Sequence, residues 1–124
     1  MEKLLGKTRE ELKGIAVSVG LPSFAGGQLA RWLYVRKARS FDEMTDISKE
    51  GREALKKAYV TGMEDSCSVA ESSDGTRKYL FNVSCKLGDR IEDSAIESVM
   101  IPDEDRKTLC VSSQAGCKMG CKFC

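Results

Sequence analysis

Apolar residues recur every three or four positions through the first half of the chain, which is the spacing of one helix face. Thr8 and Glu11 have the spacing of a capping box, so a helix should begin just after Thr8 and end near Gly20. Ser48 can cap a later helix in the same way. The predicted helices span about residues 8–20, 28–37 and 48–59.

From Ser66 onward the apolar pattern changes to short stretches rich in β-branched and aromatic residues, which is typical of strands. Ser73, Asp74 and Gly75 predict the turn of a hairpin, and the second strand of that hairpin should cover about residues 76–84. Further strands are predicted over about residues 95–101 and 108–112, and residues 88–94 are expected to be irregular. The order of helices followed by strands predicts an α+β fold.

The composition is that of an ordinary soluble protein, with 41% hydrophobic residues, 31% charged residues and a net charge of +1. No apolar run has the length of a membrane span or a secretory signal, so we expect a cytoplasmic protein without a membrane partner. Because the net charge is close to zero, binding to a nucleic acid would have to come from a local basic patch.

Metal ligation in this chain would fall mostly to thiols, because the sequence has six cysteines and no histidine. Cysteines in a chain without an export signal favour metal binding or redox chemistry over structural disulfides. Cys67 and Cys85 stand apart in the sequence and are predicted to be small buried hydrophobic residues. The other four cysteines lie between residues 110 and 124.

Cys117, Cys121 and Cys124 form a C-x3-C-x2-C motif, which is short enough for one loop to place three thiolates around a single inorganic centre. Gly116 and Gly120 would let the backbone approach that centre closely. Structural zinc sites and ordinary iron–sulfur clusters take four protein ligands, so three from one loop suggest a centre with one position open to a substrate. The alternative is a structural zinc site that is completed by a fourth ligand elsewhere.

This motif resembles the signature of the radical S-adenosylmethionine (radical SAM) superfamily. Residues 96–102 and 108–124 more specifically resemble the dual-specificity RNA adenine C2-methyltransferases, and related enzymes that methylate C8 of adenine share much of the pattern. The agreement continues upstream at residues 28, 32–34, 41–45, 48–49, 52 and 74–79. Gly51 departs from the family, which usually has a bulky apolar residue there, and Gly26 and Gly27 fit loosely.

The resemblance implies three regions and two cofactors. The regions are a helical RNA-binding accessory domain (1–62), a β-hairpin region (63–101) and the first strand and cluster loop of a truncated radical SAM partial α/β barrel (102–124). The cofactors are a [4Fe-4S] cluster, held by Cys117, Cys121 and Cys124, and S-adenosylmethionine, bound at the remaining iron.

The resemblance also assigns two catalytic roles by motif position. Glu97 would be the proton acceptor, and Cys110 would be the resolving thiol that forms a transient disulfide with a methyl-carrying cysteine absent from this chain. On the residues alone, two ordinary alternatives stay open. Glu97 could be a solvent-exposed strand glutamate, and Cys110 could be a small buried hydrophobic residue.

A basic segment in and after the predicted second helix is the candidate for contact with RNA. Its positive residues are Arg31, Arg36, Lys37 and Arg39, with Trp32 and Tyr34 between them. Interleaved basic and aromatic residues are typical of surfaces that bind folded RNA through phosphates and stacking. The alternative is a solvated helix face above a core that contains the tryptophan. The helical domain of the family contacts RNA, which favours the first interpretation.

The resemblance therefore implies the N-terminal part of an enzyme that methylates C2 of adenine in large-subunit rRNA and in tRNA, through a methyl-cysteine and a [4Fe-4S] cluster. We expect the chain by itself to be inactive, to be monomeric and to require an electron donor such as flavodoxin or ferredoxin. Two other functions are compatible with the sequence. They are a C8-specific rRNA adenine methyltransferase of the same superfamily and a standalone RNA-binding or zinc-binding module.

Overall fold

The computed structural model describes residues 1–116, 118–120 and 122, and for residues 85–87 it describes the backbone. The chain divides into two compact units, Met1–Glu64 and Asp65–Cys124. The predicted metal ligands Cys117, Cys121 and Cys124 lie outside the described residues. Among the residues that are described, no helix has both the length and the apolar character needed to cross a membrane.

The first unit is helical and also contains a short parallel sheet. Its elements in chain order are β1 (Glu2–Lys3), α1 (Arg9–Ser18), α2 (Ala25–Ala30), a π-helix (Arg31–Val35), a 3-10 turn (Phe41–Glu43), α3 (Lys49–Ala58) and β2 (Tyr59–Val60). Strand β1 pairs with β2, with Glu2 opposite Tyr59. The sheet therefore joins the beginning of this unit to the end of its last helix.

Two of the helices begin where the sequence predicted. The Thr8 hydroxyl accepts a hydrogen bond from the Glu11 backbone N–H, and the Glu11 carboxylate accepts one from the Thr8 backbone N–H at 2.6 Å, which confirms the capping box. That backbone N–H also holds the pKa of Glu11 below its ordinary value of 4.5. The Ser48 hydroxyl accepts from the Gly51 backbone N–H and caps α3.

The second helix begins earlier than predicted, at Ala25 rather than near Gln28, and it changes to a π-helix at Arg31. Gly26 lies in the first turn of this helix and packs against α1. A β-carbon on Gly26 would lie 2.5 Å from the backbone nitrogen and Cα of Lys13 in α1. The missing side chain therefore lets the two helices approach closely, so the glycine serves the packing although it weakens the local helical signal.

Gly51 departs from the family pattern, and the side chain of Leu21 fills the space next to it. Gly51 is buried, and a β-carbon on it would lie 2.5 Å from Cδ2 of Leu21. The leucine thus occupies the space that a bulky residue at position 51 would need. The absence of a bulky side chain at position 51 therefore leaves no gap on this side of the core.

The core of the helical unit is apolar and is contributed by all three helices and the segments between them. Its buried residues are Leu4, Leu12, Ala16, Ala25, Leu29, Trp32, Leu33, Ala38, Phe41, Met44, Ile47 and Leu55. Fully burying one large aliphatic side chain contributes roughly 1.5–3 kcal/mol. Trp32 satisfies its indole N–H by donating to the Asp46 carboxylate at 2.5 Å, so this large residue is buried without an unpaired donor.

The second unit contains a four-stranded antiparallel sheet in the order β3-β4-β5-β6. The strands are β3 (Ser68–Glu71), β4 (Arg77–Leu87), β5 (Arg90–Pro102) and β6 (Lys107–Val111). The predicted turn between β3 and β4 is confirmed, because the Ser72 backbone N–H donates to the Thr76 carbonyl and Gly75 has a φ of +86°. The Thr76 backbone N–H also lowers the pKa of the Asp74 carboxyl in this turn.

The prediction that residues 88–94 are irregular was wrong, because β5 begins at Arg90. Strands β4 and β5 pair without interruption from Leu87 opposite Arg90 to Arg77 opposite Met100. Gly88, with a φ of +62°, supplies the backbone conformation that a two-residue hairpin loop requires. The predicted division after residue 101 falls inside one sheet, since β6 pairs with the end of β5.

Cys67 was predicted to be buried, and that prediction was wrong because the structure leaves it exposed. It immediately precedes β3, which is an edge strand of the sheet. Its backbone N–H donates to the Leu80 carbonyl at 2.7 Å, and its sulfur lies 3.2 Å from the same oxygen. The side chain of Cys85 lies outside the described atoms, and its backbone pairs with Glu92 in the hairpin.

Candidate functional site

Glu97 and Cys110, the two predicted catalytic residues, lie on the same face of the sheet. Cys110 in β6 is directly opposite Val99 in β5, and directly opposed residues in a sheet project to the same side. Glu97 comes two positions before Val99 in β5, so these two side chains also share a face. The register therefore makes Glu97 and Cys110 diagonal neighbours, separated by roughly 7 Å.

The Cys110 thiol is free and exposed. The 124-residue chain therefore does not bury this cysteine in a core of its own. An exposed thiol beside a carboxylate can meet a partner that approaches the sheet from solvent, whereas a buried core cysteine cannot.

The Glu97 side chain forms an ion pair with Lys78. The lysine Nζ lies 2.8 Å from Glu97 Oε1, and both side chains are about half exposed, at 51%. Lys78 in β4 is directly opposite Val99, so Lys78, Val99 and Cys110 form one row across three strands. The sequence interpretation missed Lys78. Strand alternation could have placed it on a face with Leu80, but only the β4–β5 register brings it to Glu97.

Ser112 fixes the backbone beside Glu97. Its hydroxyl donates to the Glu97 carbonyl at 2.7 Å, and its backbone N–H donates to the same oxygen at 3.3 Å. These bonds extend the β5–β6 pairing one residue beyond Val111, where β6 ends. The chain thus leaves the sheet next to Glu97 and runs toward the cysteine motif.

An open groove of about 550 Å³ adjoins Glu97 at this end of the sheet. It is lined by Leu80, Ala95, Ile96, Glu97, Val111, Ser112, Ser113, Gln114 and Gly116. The groove connects the predicted proton acceptor to the segment directly before the cysteine motif. Its lining combines apolar strand residues with serine and glutamine side chains, a mixture that is typical of ligand sites.

The donor chemistry of the cysteine motif fits an iron–sulfur cluster. The motif offers three thiolates within eight residues, Cys117 to Cys124, in a chain that has no histidine to complete a mixed zinc site. Among the residues that the structure describes, no group of three or more His, Cys, Asp or Glu could hold a metal ion. The motif is therefore the candidate cluster site, and its geometry lies outside the described residues.

The predicted RNA-binding residues occupy the π-helix and the segment after it. Arg31 is exposed at the start of the π-helix, and the Arg36 guanidinium stacks 4.3 Å from the centroid of the Trp32 ring. Lys37 adopts a φ of +56°, which few residues other than glycine adopt. The Arg39 backbone N–H donates to Glu43, and its carbonyl accepts from the Thr61 hydroxyl.

The two aromatic residues of the basic segment stabilise the fold of the helical unit. Trp32 is buried in the core and covered by Arg36. The Tyr34 hydroxyl donates to the Lys7 carbonyl at 2.7 Å and accepts from the Gly6 backbone N–H at 2.8 Å. The tryptophan ring is therefore not available for stacking on a base, and the tyrosine keeps only part of its ring exposed. π-Helical turns within helices occur frequently at functional sites, which keeps this segment a candidate.

Comparisons with known proteins agree along the whole chain. Residues 2–60 match the family described as "Ribosomal RNA large subunit methyltransferase N-terminal domain". The "Probable dual-specificity RNA methyltransferase RlmN" of Bacteroides fragilis is 50% identical over 121 residues, which cover 98% of this chain. The "Dual-specificity RNA methyltransferase RlmN" of Geotalea uraniireducens is 44% identical over 117 residues, or 94% of the chain.

Residues 2–60 of this chain belong to the N-terminal domain family of the large-subunit rRNA methyltransferases. The whole chain is similar to the RNA methyltransferases named above. A solved structure of a radical SAM methyltransferase from Sphaerobacter thermophilus is similar over 100% of the chain, with a TM-score of 0.76 and 31% identity. The chain covers 35% of that structure and 33% and 32% of the two relatives. It thus spans about a third of the length of the family members that it matches.

Proposed function

We propose that this chain supplies the RNA-binding unit and part of the active site of a radical SAM enzyme that methylates C2 of adenine. Its substrates would be large-subunit rRNA and tRNA in the cytoplasm, since the relatives are named for dual specificity toward RNA. The observation that carries the proposal is the shared face of Glu97 and Cys110, beside the segment that leads to the cysteine motif.

The chemistry of the substrate explains why cysteine ligands are needed. Adenine C2 is an unactivated sp2 carbon, so an ordinary polar methyl transfer does not reach it. A [4Fe-4S] cluster and S-adenosylmethionine, when bound, would supply the radical chemistry that this carbon requires. Cys117, Cys121 and Cys124 would hold three irons of the cluster, which leaves the fourth iron open to S-adenosylmethionine.

Glu97 and Cys110 would act on the RNA after the methyl carbon has joined C2. The Glu97 carboxylate would accept the C2 proton. The Cys110 thiol would then release the RNA by forming a disulfide with the methyl-carrying cysteine, which the remaining two-thirds of the family members would provide. The bond between that cysteine's sulfur and the transferred carbon would break, and the carbon would take up the thiol proton to become the methyl group. The one electron that this radical step releases would pass back to the cluster. The diagonal placement of Glu97 and Cys110 lets both side chains face one bound base. A reduced flavodoxin or ferredoxin would supply the electrons.

A chimera tests this proposal with a chain of full family length. It joins residues 1–124 to the remaining two-thirds of the Bacteroides fragilis relative. The chimera would be incubated without oxygen with S-adenosylmethionine, a reductant and a large-subunit rRNA fragment, and the digested RNA would be analysed by mass spectrometry. We expect C2-methyladenosine from the chimera and none from the 124-residue chain by itself.

The same experiment separates the proposal from its alternatives. C8-methyladenosine as the product would favour the C8-specific enzymes of the superfamily. A chimera that contains zinc in place of iron, and that methylates no adenine while the intact relative does so, would favour a zinc-binding or RNA-binding module.

A further inference from the structure

Phe24 is an exposed aromatic residue in the helical unit. It is 67% exposed, although phenylalanine is usually among the largest contributors to a core. It immediately precedes α2, and its backbone carbonyl accepts from the Gly27 N–H, so only its main chain takes part in the start of the helix. The fold of this unit therefore gains little from its ring, which leaves the ring available for a partner.

Two arginines lie along the helix face on which Phe24 stands. Phe24, Gly27 and Arg31 follow each other at a spacing of three and four residues, so they lie along one helix face. A β-carbon on Gly27 would lie 3.1 Å from Nη2 of Arg9 in α1. The absence of a side chain at Gly27 thus makes room for the Arg9 guanidinium between the phenylalanine and Arg31.

The carboxylates of α1 nearest to Arg9 are already engaged. Glu10 forms an ion pair with Lys13 at 2.7 Å, and Glu11 accepts hydrogen bonds from Thr8. In the part of the chain that the structure describes, neither Arg9 nor Arg31 forms an ion pair. Both guanidinium groups are therefore available for an external anion.

Tyr34 extends the same surface. It follows Arg31 by three residues, and its hydroxyl is held by the backbone of Gly6 and Lys7, just before Arg9 in the chain. Tyr34 as a whole is 45% exposed. We define the Phe24 surface as Arg9, Phe24, Arg31 and Tyr34.

We propose that the Phe24 surface binds a single-stranded segment of RNA, with an unpaired base stacked on the Phe24 ring and flanking phosphates at Arg9 and Arg31. Sequence-specific proteins read RNA mainly in loops and bulges, where unstacked bases meet aromatic rings and arginine planes. This inference rests on the proposed function and deepens it, because it names the part of the RNA that the helical unit contacts. The surface shares Arg31 and Tyr34 with the predicted RNA-binding segment and adds Arg9 and Phe24 to it.

Fluorescence anisotropy of the 124-residue chain with labelled RNA tests the inference. The probes are a stem-loop with an unpaired adenine in its loop and a fully paired duplex of the same length. Stacking contributes roughly 1–3 kcal/mol per base, so Phe24→Ala should weaken binding to the stem-loop about tenfold, and Phe24→Trp should retain it. Arg9→Gln and Arg31→Gln should each reduce the salt dependence of binding.

Ile91→Ala is the matched control, because Ile91 is an equally exposed apolar residue in the other unit, at 75%. Three results would overturn the proposal: unchanged binding by Phe24→Ala, an equal loss in the control, or equally tight binding of the duplex. Trp32 fluorescence verifies that each variant is folded. Loop binding that depends on Phe24, together with a chimera that methylates no adenine, would overturn the enzymatic proposal and leave this surface in place.

Discussion

The carboxylate of Glu97 lies 2.8 Å from the ammonium group of Lys78 on the sheet face that also carries Cys110. This ion pair links β4 to the strand that holds the predicted proton acceptor. An exposed pair of this kind contributes little to stability, with a typical value of about 0–1 kcal/mol. Its importance would therefore lie in orienting the carboxylate.

Replacing Lys78 with methionine in the chimera should lower the rate of adenine methylation about tenfold and leave cleavage of S-adenosylmethionine intact. A misoriented proton acceptor loses part of the roughly 10²–10⁴-fold that general base catalysis provides. Lys78→Arg should restore most of the rate. The matched control is Arg77→Met, because Arg77 projects from the opposite face of the same strand. Equal rates for Lys78→Met and this control would contradict the orienting role.

The close packing of α1 on α2 predicts opposite effects for two glycine substitutions. Gly26→Ala places a β-carbon 2.5 Å from the backbone of Lys13, so it should destabilise the helical unit by about 1–3 kcal/mol. Gly14→Ala should stabilise it by roughly 0.5–1 kcal/mol, because Gly14 lies inside α1 with nothing within 4 Å. Urea unfolding followed by the fluorescence of Trp32, the only tryptophan, measures both. A stabilising Gly26→Ala would contradict the described packing.

Acid should weaken the helical unit partly through Glu11. Its folded pKa is lowered by the Thr8 backbone N–H, so its stabilising contribution is present above the ordinary value of 4.5 and is lost as the pH falls through the folded value. Glu11→Gln should therefore be less stable at neutral pH and lose less stability on acidification. Urea unfolding at several pH values checks this, with Glu50→Gln in the first turn of α3 as control. Identical pH profiles for the wild type and Glu11→Gln would be inconsistent with the capping contribution.

The ligand assignment predicts a complete loss of the cluster when Cys121 is replaced with alanine in the chimera. Two thiolates from one loop are too few to hold it, so both the visible absorbance and cleavage of S-adenosylmethionine should disappear. Cys67→Ala, which changes an exposed cysteine outside the motif, should preserve both. Retained absorbance in Cys121→Ala would mean that the ligand set is different.

The starts of α1 and α3 could be predicted because their determinants are local. The bonds of Thr8 with Glu11 and of Ser48 with Gly51 join residues three positions apart, and the sequence displays that spacing directly. The hairpin turn near Gly75 was predictable for the same reason. By contrast, Gly26 reads as a helix-weakening residue until Lys13 is known to approach it.

The relation of Lys78 to Glu97 could not be predicted, because it depends on the register of two strands. The two-residue loop that begins at Gly88 sets that register, and its sequence surroundings suggested irregular structure instead. A slip of one residue would have moved Lys78 to the other face. The roles of Glu97 and Cys110 came from family resemblance, and the sheet adds the shared face that spacing alone does not reveal.

The catalytic role of Cys110 is tested most directly by the fate of RNA in a chimera that carries Cys110→Ala. If Cys110 releases the RNA, this variant should assemble its cluster and cleave S-adenosylmethionine normally but remain covalently attached to the RNA. Denaturing electrophoresis with labelled RNA should then show a slowly migrating band that nuclease removes, and the Cys67→Ala control should not show it. A Cys110→Ala chimera that turns over without such a band would contradict the catalytic role of this sheet face.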